Sequence, residues 1–198
     1  MSKIDPQTKI VLASSSPYRQ QLLRQLGIPF TSISPDIDES ALPGEQAENL
    51  VRRLSIAKAN AVHSQTPTGL IIGSDQIALH GKQPVGKPKN YADACQQLLF
   101  SSGKTVTLLT GIAVLNRNTG NVQSDVIPYR VQFRKLTMET IKRYLIKEKP
   151  YGCCGSLRTD GLGIALLDHL NGPDPSALIG LPLTVLVRML QNEGVDVI

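Results

Sequence analysis

A short β-branched run empties into a serine-rich turn and restarts at once as a helix, and few kinds of fold accommodate that order of events. Lys9-Ile10-Val11-Leu12-Ala13 gives way to Ser14-Ser15-Ser16-Pro17, and Tyr18 to Gly27 then carries leucines at helical spacing. Ser16 suits the N-cap, Pro17 the first helical position and Gly27 the cap beyond the last turn. A strand, loop and helix start of this kind gather backbone N–H groups, hydroxyls and the positive end of the helix dipole at one point. Ser14 lies at that point, and Arg19, one turn in, can fork onto phosphate oxygens. Alone, such a start is more often a solvated cap than an anion site.

The rest of the chain continues in the same style. A second strand is expected around Pro29 to Ile33, followed by an acidic loop, Asp36-Ile37-Asp38-Glu39-Ser40. Leu50, Leu54, Ala57 and Ala61 give Gln46 to Ala61 the period of an amphipathic helix. Leu70-Ile71-Ile72-Gly73 reads as a buried strand ending at Ser74-Asp75-Gln76, and Gly86-Lys87-Pro88 as a turn. Helices are expected from Tyr91 to Phe100, from Thr137 through Lys147 and from Pro182 to Glu193. Two β-rich runs, Val106 to Asn116 and Gln123 to Phe133, flank a hairpin signal at Asn116 to Gly120. Interspersed strands and helices argue for an α/β protein with a mixed sheet. With no repeats or linkers, residues 1–198 read as a single domain with two lobes.

Charge narrows the function without deciding it. The formal charge is +5, yet aromatic residues make up only 4% and tryptophan is absent. Base-stacking surfaces for RNA or single-stranded DNA want more aromatics than that, whereas a small polyphosphate ligand accounts for the same charge. Nucleic acid is therefore not the expected partner. No run approaches the ~20 apolar residues of a membrane span, and Lys9 to Ala13 is too short for a signal-peptide core, so a cytoplasmic location is expected. Three cysteines, two of them adjacent at Cys153 and Cys154, make neither a disulfide framework nor a zinc spacing. They read as reduced thiols packed as small apolar groups. Gly103-Lys104-Thr105 and Gly81 to Lys87 imitate phosphate loops, but the first lacks the upstream glycine and Pro88 replaces the hydroxyl in the second.

Several residues remain suited to phosphate chemistry. Asp75 ends an apolar strand, where an α/β sheet presents catalytic groups. Glu39 and Asp75 together could hold a magnesium ion against a polyphosphate, since that ion takes few protein oxygens. Lys58 and Lys87 could clamp phosphates, though each alone reads more readily as a surface lysine.

Taken together these residues resemble the Maf family of nucleoside triphosphate pyrophosphatases. The resemblance is carried by Leu12-Ala-Ser-Ser-Ser-Pro17 with Arg19, Asp36-Ile-Asp-Glu39, Ala57-Lys58-Ala59, Ile72-Gly-Ser-Asp-Gln76, Gly86-Lys87-Pro88, Ser102-Gly-Lys104 and Gly180-Leu-Pro-Leu183, in the family's order. It implies a mixed, twisted α/β sheet flanked by helices, with a cleft between two lobes, akin to inosine triphosphate pyrophosphatase. It implies a divalent cation, Mg2+ or Mn2+, at Glu39 and Asp75, with Asp75 as the catalytic aspartate. Ser14, Arg19, Lys58 and Lys87 take the phosphate-binding positions. Tyr18, Gln76 and Asp160 appear at the positions that set substrate choice. Gly155-Ser-Leu-Arg-Thr-Asp-Gly161 and Met189-Leu-Gln-Asn-Glu-Gly-Val195 resemble the 7-methyl-GTP branch. That branch is expected to carry tryptophan where Tyr18 stands and glutamate where Asp160 stands, so an aromatic ring and a carboxylate are retained in altered form.

Physical chemistry favours that pairing independently. Methylation at N7 makes guanine cationic, so an electron-rich ring gains ~0.5 to 2 kcal/mol of cation-π attraction, and a carboxylate accepts from the guanine N–H edge. The expected reaction cleaves 7-methyl-GTP to 7-methyl-GMP and diphosphate. Two alternatives stay open: a pyrophosphatase for UTP, dTTP or their modified forms, and a nucleotide-binding regulator of cell division. A homodimer is compatible with the sequence but not read from it.

Overall fold

A computed structural model describes residues 8–198. The opening motif folds as its residues dictate. Strand β1 (Ile10–Ala13) leads into helix α1 (Pro17–Arg24), where the Ser16 hydroxyl accepts from the Arg19 backbone N–H and Pro17 occupies the first turn. Helix α1 stops at Arg24, short of the expected boundary, and a turn through Leu26 leads to Gly27 at φ 67°. Strand β2 (Thr31–Ile33), helix α2 (Ala47–Ala61), strand β3 (Leu70–His80) and the short strand β4 (Gln83–Val85) follow. Helix α3 (Tyr91–Ser101) precedes the long hairpin of β5 (Thr105–Asn116) and β6 (Val122–Phe133). Helix α4 (Met138–Glu148), capped by Thr137, strand β7 (Leu167–Asn171) and helix α5 (Leu183–Asn192) complete the order. Strands β4 and β7 have no counterpart in the sequence reading.

These strands form a mixed, seven-stranded sheet in the order β2-β1-β3-β5-β6-β7, with β4 beside β3. Strand β1 runs parallel to β2 and β3, and the remaining pairings are antiparallel. The register of β3 creates the feature on which the site depends. Along one edge β3 pairs with β5 from Leu70 to Leu79. Along its other edge it pairs with β1 only through Gly73, and with β4 only from Ala78. Residues 74–77 thus lie in a notch between the end of β1 and the start of β4. Asp75 stands in this notch, inside a strand that continues to His80. The strand end expected at Asp75 is instead the end of its parallel neighbour.

Alternation along β3 sends its side chains to two layers. On one face Val11, Ala13 and Ile71 pack against Ala59 of α2 and Val62 just beyond it, and Ile77 and Leu109 pack against Leu50, Val51 and Leu54. On the other face Leu12, Leu70, Ile72 and Ile112 meet α1 and α5. Further along the hairpin, Leu108, Val131 and Phe133 build a separate cluster with α3 and α4. Helix α2 approaches the sheet more closely than side chains would normally allow. A Cβ at Gly73 would collide with the Ser55 carbonyl, and one at Gly111 with that of Val51. These two glycines bring the helix backbone onto β3 and β5, and with it Lys58 to Asp75.

Below the sheet, Asp174 fixes the approach to α5. One carboxylate oxygen accepts from the Ser176 N–H and hydroxyl, and the other accepts from the Thr184 N–H and hydroxyl. Burial alone would raise its pKa, but these donors outweigh burial and hold the carboxyl below its ordinary value. Replacing the buried Asp174 with alanine removes the acceptor of four part-buried hydrogen bonds and is expected to cost about 3 kcal/mol. In a chain of this size that lowers Tm by roughly 6–12 °C, measurable by calorimetry. Because the folded pKa is depressed, this contribution is complete above about pH 4 and is lost as pH falls through the folded value. The Tm gap between wild type and Asp174→Ala should therefore narrow in acid.

Candidate active site

The notch in β3 opens into a cleft of about 670 Å³ bounded by the Ser14–Ser16 turn, α2, the Gly86-Lys87 turn and the segment from Gly152 to Asp160. Ser14, Tyr18, Arg19, Glu39, Lys58, Asp75, Gln76, Lys87 and Asp160 all line it. Every site residue inferred from the sequence thus reaches one cavity, although they come from loops, helices and a strand far apart in the chain. The volume lies in the range of ordinary small-molecule sites.

At its centre Lys58 joins the two acidic candidates. Its Nζ lies 2.6 Å from Asp75 Oδ1 and 2.7 Å from Glu39 Oε1. Lys58 and Asp75 are each 5% exposed, whereas Glu39 reaches in from the half-open loop after β2. Burial would raise the pKa of Glu39, but the Lys58 hydrogen bond and charge, joined by Lys87 and Arg19, outweigh it and keep the carboxyl below its ordinary value. One ammonium against two carboxylates leaves the triad one net negative charge, which the nearby Lys87 and Arg19 offset.

The second oxygen of each carboxylate accepts no hydrogen bond among the described residues. Two hard oxygens beside the phosphate-suited turn fit a divalent cation. No group of three or more His, Cys, Asp or Glu gathers as a metal cage among the described residues. An ion here would take its remaining ligands from phosphate and water, which is the habit of magnesium.

The anion end lies beside this triad. The Ser16 N–H donates to Ser14 Oγ at 3.1 Å, which tightens the turn into α1. Arg19 Nε donates to the Gly180 carbonyl at 2.8 Å, and Ser74 Oγ donates to the same oxygen at 2.9 Å. The terminal nitrogens of Arg19 have no protein acceptor among the described residues, so its fork is oriented by the fold and available to an anion. Lys87 is exposed on its turn and acts on Glu39 through charge. Three cations thus converge on one end of the cleft.

The residues read as substrate-selecting line the same cleft. Gln76 projects to the face of β3 opposite Asp75, and its Nε2 donates to Thr110 Oγ1 at 2.9 Å and to the Ala177 carbonyl at 2.8 Å. That fixes the amide with its oxygen as the remaining polar atom. The Arg158 guanidinium carbon sits 5.0 Å from the centroid of the Tyr18 ring, and Arg158 Nε donates to Asp160 Oδ1 at 3.2 Å. Burial raises the phenol pKa of Tyr18. The adjacent cysteines also line the cleft. Cys154 Sγ donates to the Gln76 carbonyl at 2.9 Å, and burial pushes the Cys153 thiol up to about 11 and the Cys154 thiol up to about 12. Both remain protonated and poorly nucleophilic at neutral pH.

Arg158 and the two cysteines line the cleft but were not singled out by the sequence, and neither was Glu148, which bonds Arg158 from beside the cleft. Arg158 falls inside Gly155 to Gly161, but no periodicity connects that stretch with Tyr18 on α1. Glu148 carried no signal at all, since a glutamate closing an amphipathic helix is ordinarily solvated.

The chain is similar to known proteins over nearly its full length. The sequence profile of the family described as Maf-like protein matches residues 9–193. A protein of Nitrosococcus oceani named 7-methyl-GTP pyrophosphatase is 51% identical over 189 residues, covering 96% of this chain and 95% of its own. Proteins of the same name from Pseudomonas fluorescens and Pseudomonas putida are 52% and 50% identical, covering 94% and 95% of this chain and 97% and 98% of theirs. Among solved structures, the Staphylococcus aureus Ham1 protein superposes with a TM-score of 0.55 over 94% of this chain and all of its own, at 13% identity. That likeness is one of fold.

Proposed function

Because this chain belongs to the Maf-like family, we propose that the cleft hydrolyses the bond between the α and β phosphorus atoms of 7-methyl-GTP, yielding 7-methyl-GMP and diphosphate. The chain is a nucleotide pyrophosphatase, a hydrolase of phosphoanhydrides. The observation that carries the reading is the Glu39–Lys58–Asp75 triad in one cleft with the Arg19 fork and the Tyr18–Asp160 pair. Pure binding of a polyphosphate gives no reason to place carboxylates beside it, which disfavours a regulator without turnover.

Each residue then has work matched to its position. Arg19 and Lys87 bind the triphosphate and neutralise charge as it moves onto the leaving diphosphate. The Ser14–Ser16 turn adds N–H groups at the start of α1. A divalent cation, when held by Glu39 and Asp75, supplies further neutralisation of the phosphate oxygens. Asp75 orients the attacking water and accepts its proton as the new P–O bond forms and the old one breaks. Lys58 bridges both carboxylates and keeps them aimed into the cleft. Tyr18 stacks on the cationic base, Asp160 accepts from its N–H edge, and the fixed amide of Gln76 offers its oxygen nearby.

A nucleotide panel with released diphosphate as the readout tests the reading. The kcat/KM for 7-methyl-GTP should exceed those for GTP, UTP and dTTP, and a preference for uridine or thymidine triphosphates would overturn the base assignment. Tyr18→Ala is expected to raise KM for 7-methyl-GTP about tenfold, the value of one stacked cation. Its kcat should change little, because the ring touches no reacting atom.

A further inference from the structure

The residue whose position the mechanism leaves unused is Arg158. We propose that its guanidinium competes with the nucleobase for Tyr18 and Asp160, acting as an internal surrogate that 7-methylguanine must displace, and that this residue thereby sets substrate affinity. The inference rests on the reading of Tyr18 and Asp160 as base contacts.

The chemistry of the two occupants is alike. The N1–H and C2 amino edge of guanine is a cyclic guanidine, and methylation at N7 spreads a positive charge through the ring. An arginine side chain is the same planar donor group with the same charge. Here that group engages both contacts at once, stacked 5.0 Å from the Tyr18 centroid and hydrogen-bonded at 3.2 Å to Asp160. Two like cations cannot share this space without repulsion, so the base and the guanidinium exclude each other.

The surroundings of Arg158 allow it to leave Tyr18 and Asp160 while keeping Glu148 as a partner. Its backbone N–H donates to Tyr144 Oη at 2.9 Å, and that buried hydroxyl donates to the Ser156 carbonyl, so the main chain is anchored. Its side chain is one-third exposed, and Nη1 donates to Glu148 Oε1 at 2.7 Å. Glu148 is itself fixed, because its other oxygen accepts from the Leu162 N–H at 2.6 Å. A Cβ at Gly161 would lie 2.7 Å from this carboxylate, so glycine there lets the loop close on Glu148 where it stands. Glu148 therefore retains the guanidinium when it swings from Tyr18 and Asp160, and the displaced charge stays paired.

A residue that competes with its ligand lowers apparent affinity by the fraction of sites it occupies. Calorimetric titration with 7-methyl-GMP, with KM for 7-methyl-GTP alongside, tests this. In Arg158→Ala the Kd and KM should both fall about three- to tenfold, the range set by one cation-π contact. The gain for GMP should be smaller, since a neutral base is not repelled by the displaced charge. Millimolar guanidinium chloride should weaken 7-methyl-GMP binding to Arg158→Ala, whereas sodium chloride at the same ionic strength should not. Arg158→Lys keeps the charge on Glu148 without a planar stack, so it should bind 7-methyl-GMP more tightly than wild type even if the alanine variant folds poorly. Equal or weaker binding in the folded variants would overturn the proposal. Should Tyr18→Ala weaken 7-methyl-GTP while the Arg158 variants bind no tighter, the competition falls and the base reading stands. Should Tyr18→Ala leave affinity unchanged, both fall.

Discussion

Asp75→Asn is expected to lower kcat for 7-methyl-GTP by about 10³-fold while the protein still unfolds cooperatively, the scale of losing a positioned general base. Asparagine matches aspartate in shape and keeps an oxygen for Lys58, which lies 2.6 Å from Oδ1. What it loses is the negative charge, hence proton acceptance and much of any hold on a divalent cation. Both losses fall on the chemical step, so KM should move far less than kcat. The packing of β3 against α2 depends on Gly73 and its apolar neighbours and should be untouched. Stopped assays of diphosphate release, with thermal melts of the same sample, check the two halves. Activity within tenfold of wild type would remove Asp75 from the mechanism.

Lys58→Met should reduce kcat by about 10²-fold and also change how stability responds to metal. In the native site one ammonium bridges two carboxylates at 2.6 and 2.7 Å. Methionine fills the space but leaves Asp75 and Glu39 facing each other, and a buried charge without its partner is strongly destabilising. The half-exposed Glu39 softens that cost, because it can turn towards water. Added magnesium can then take the role of the missing ammonium, so the melting temperature of Lys58→Met should rise more with millimolar MgCl2 than that of wild type. A variant with full activity and no greater response to magnesium would make Lys58 a packing residue alone.

Much of the fold was legible because its strongest signals are local. The Ser16 cap, Pro17, the β5–β6 hairpin and the Thr137 cap form where their residue chemistry places them. The notch was not legible. It arises from where β1 stops and β4 begins along β3, and the three residues of β4 carry no alternation strong enough to announce a strand. The apolar run of β3 seemed to end at Gly73 because Ser74, Asp75 and Gln76 are polar; each is held within a continuing strand by a tertiary partner. Ser74 bonds Gly111 and Gly180, Asp75 pairs with Lys58, and Gln76 bonds Thr110 and Ala177. Tertiary satisfaction overrode the local preference for a turn.

The candidate site divides along the same line. Arg19, Glu39, Lys58, Asp75 and Lys87 were readable as an ordered set of short motifs, and no single one would have sufficed. Arg158 and Glu148 were not, because their meaning lies in a contact between α1 and the loop after α4. A lone arginine in a glycine-rich run looks solvated until the tyrosine across the cleft is known.

Incubation of the purified chain with 7-methyl-GTP and magnesium, followed by chromatographic separation of nucleotides and phosphates, tests where the phosphate chain is cut. Equimolar 7-methyl-GMP and diphosphate, without orthophosphate, is the predicted outcome, and it should vanish in Asp75→Asn. Release of orthophosphate with 7-methyl-GDP, or no cleavage at all, would contradict the account.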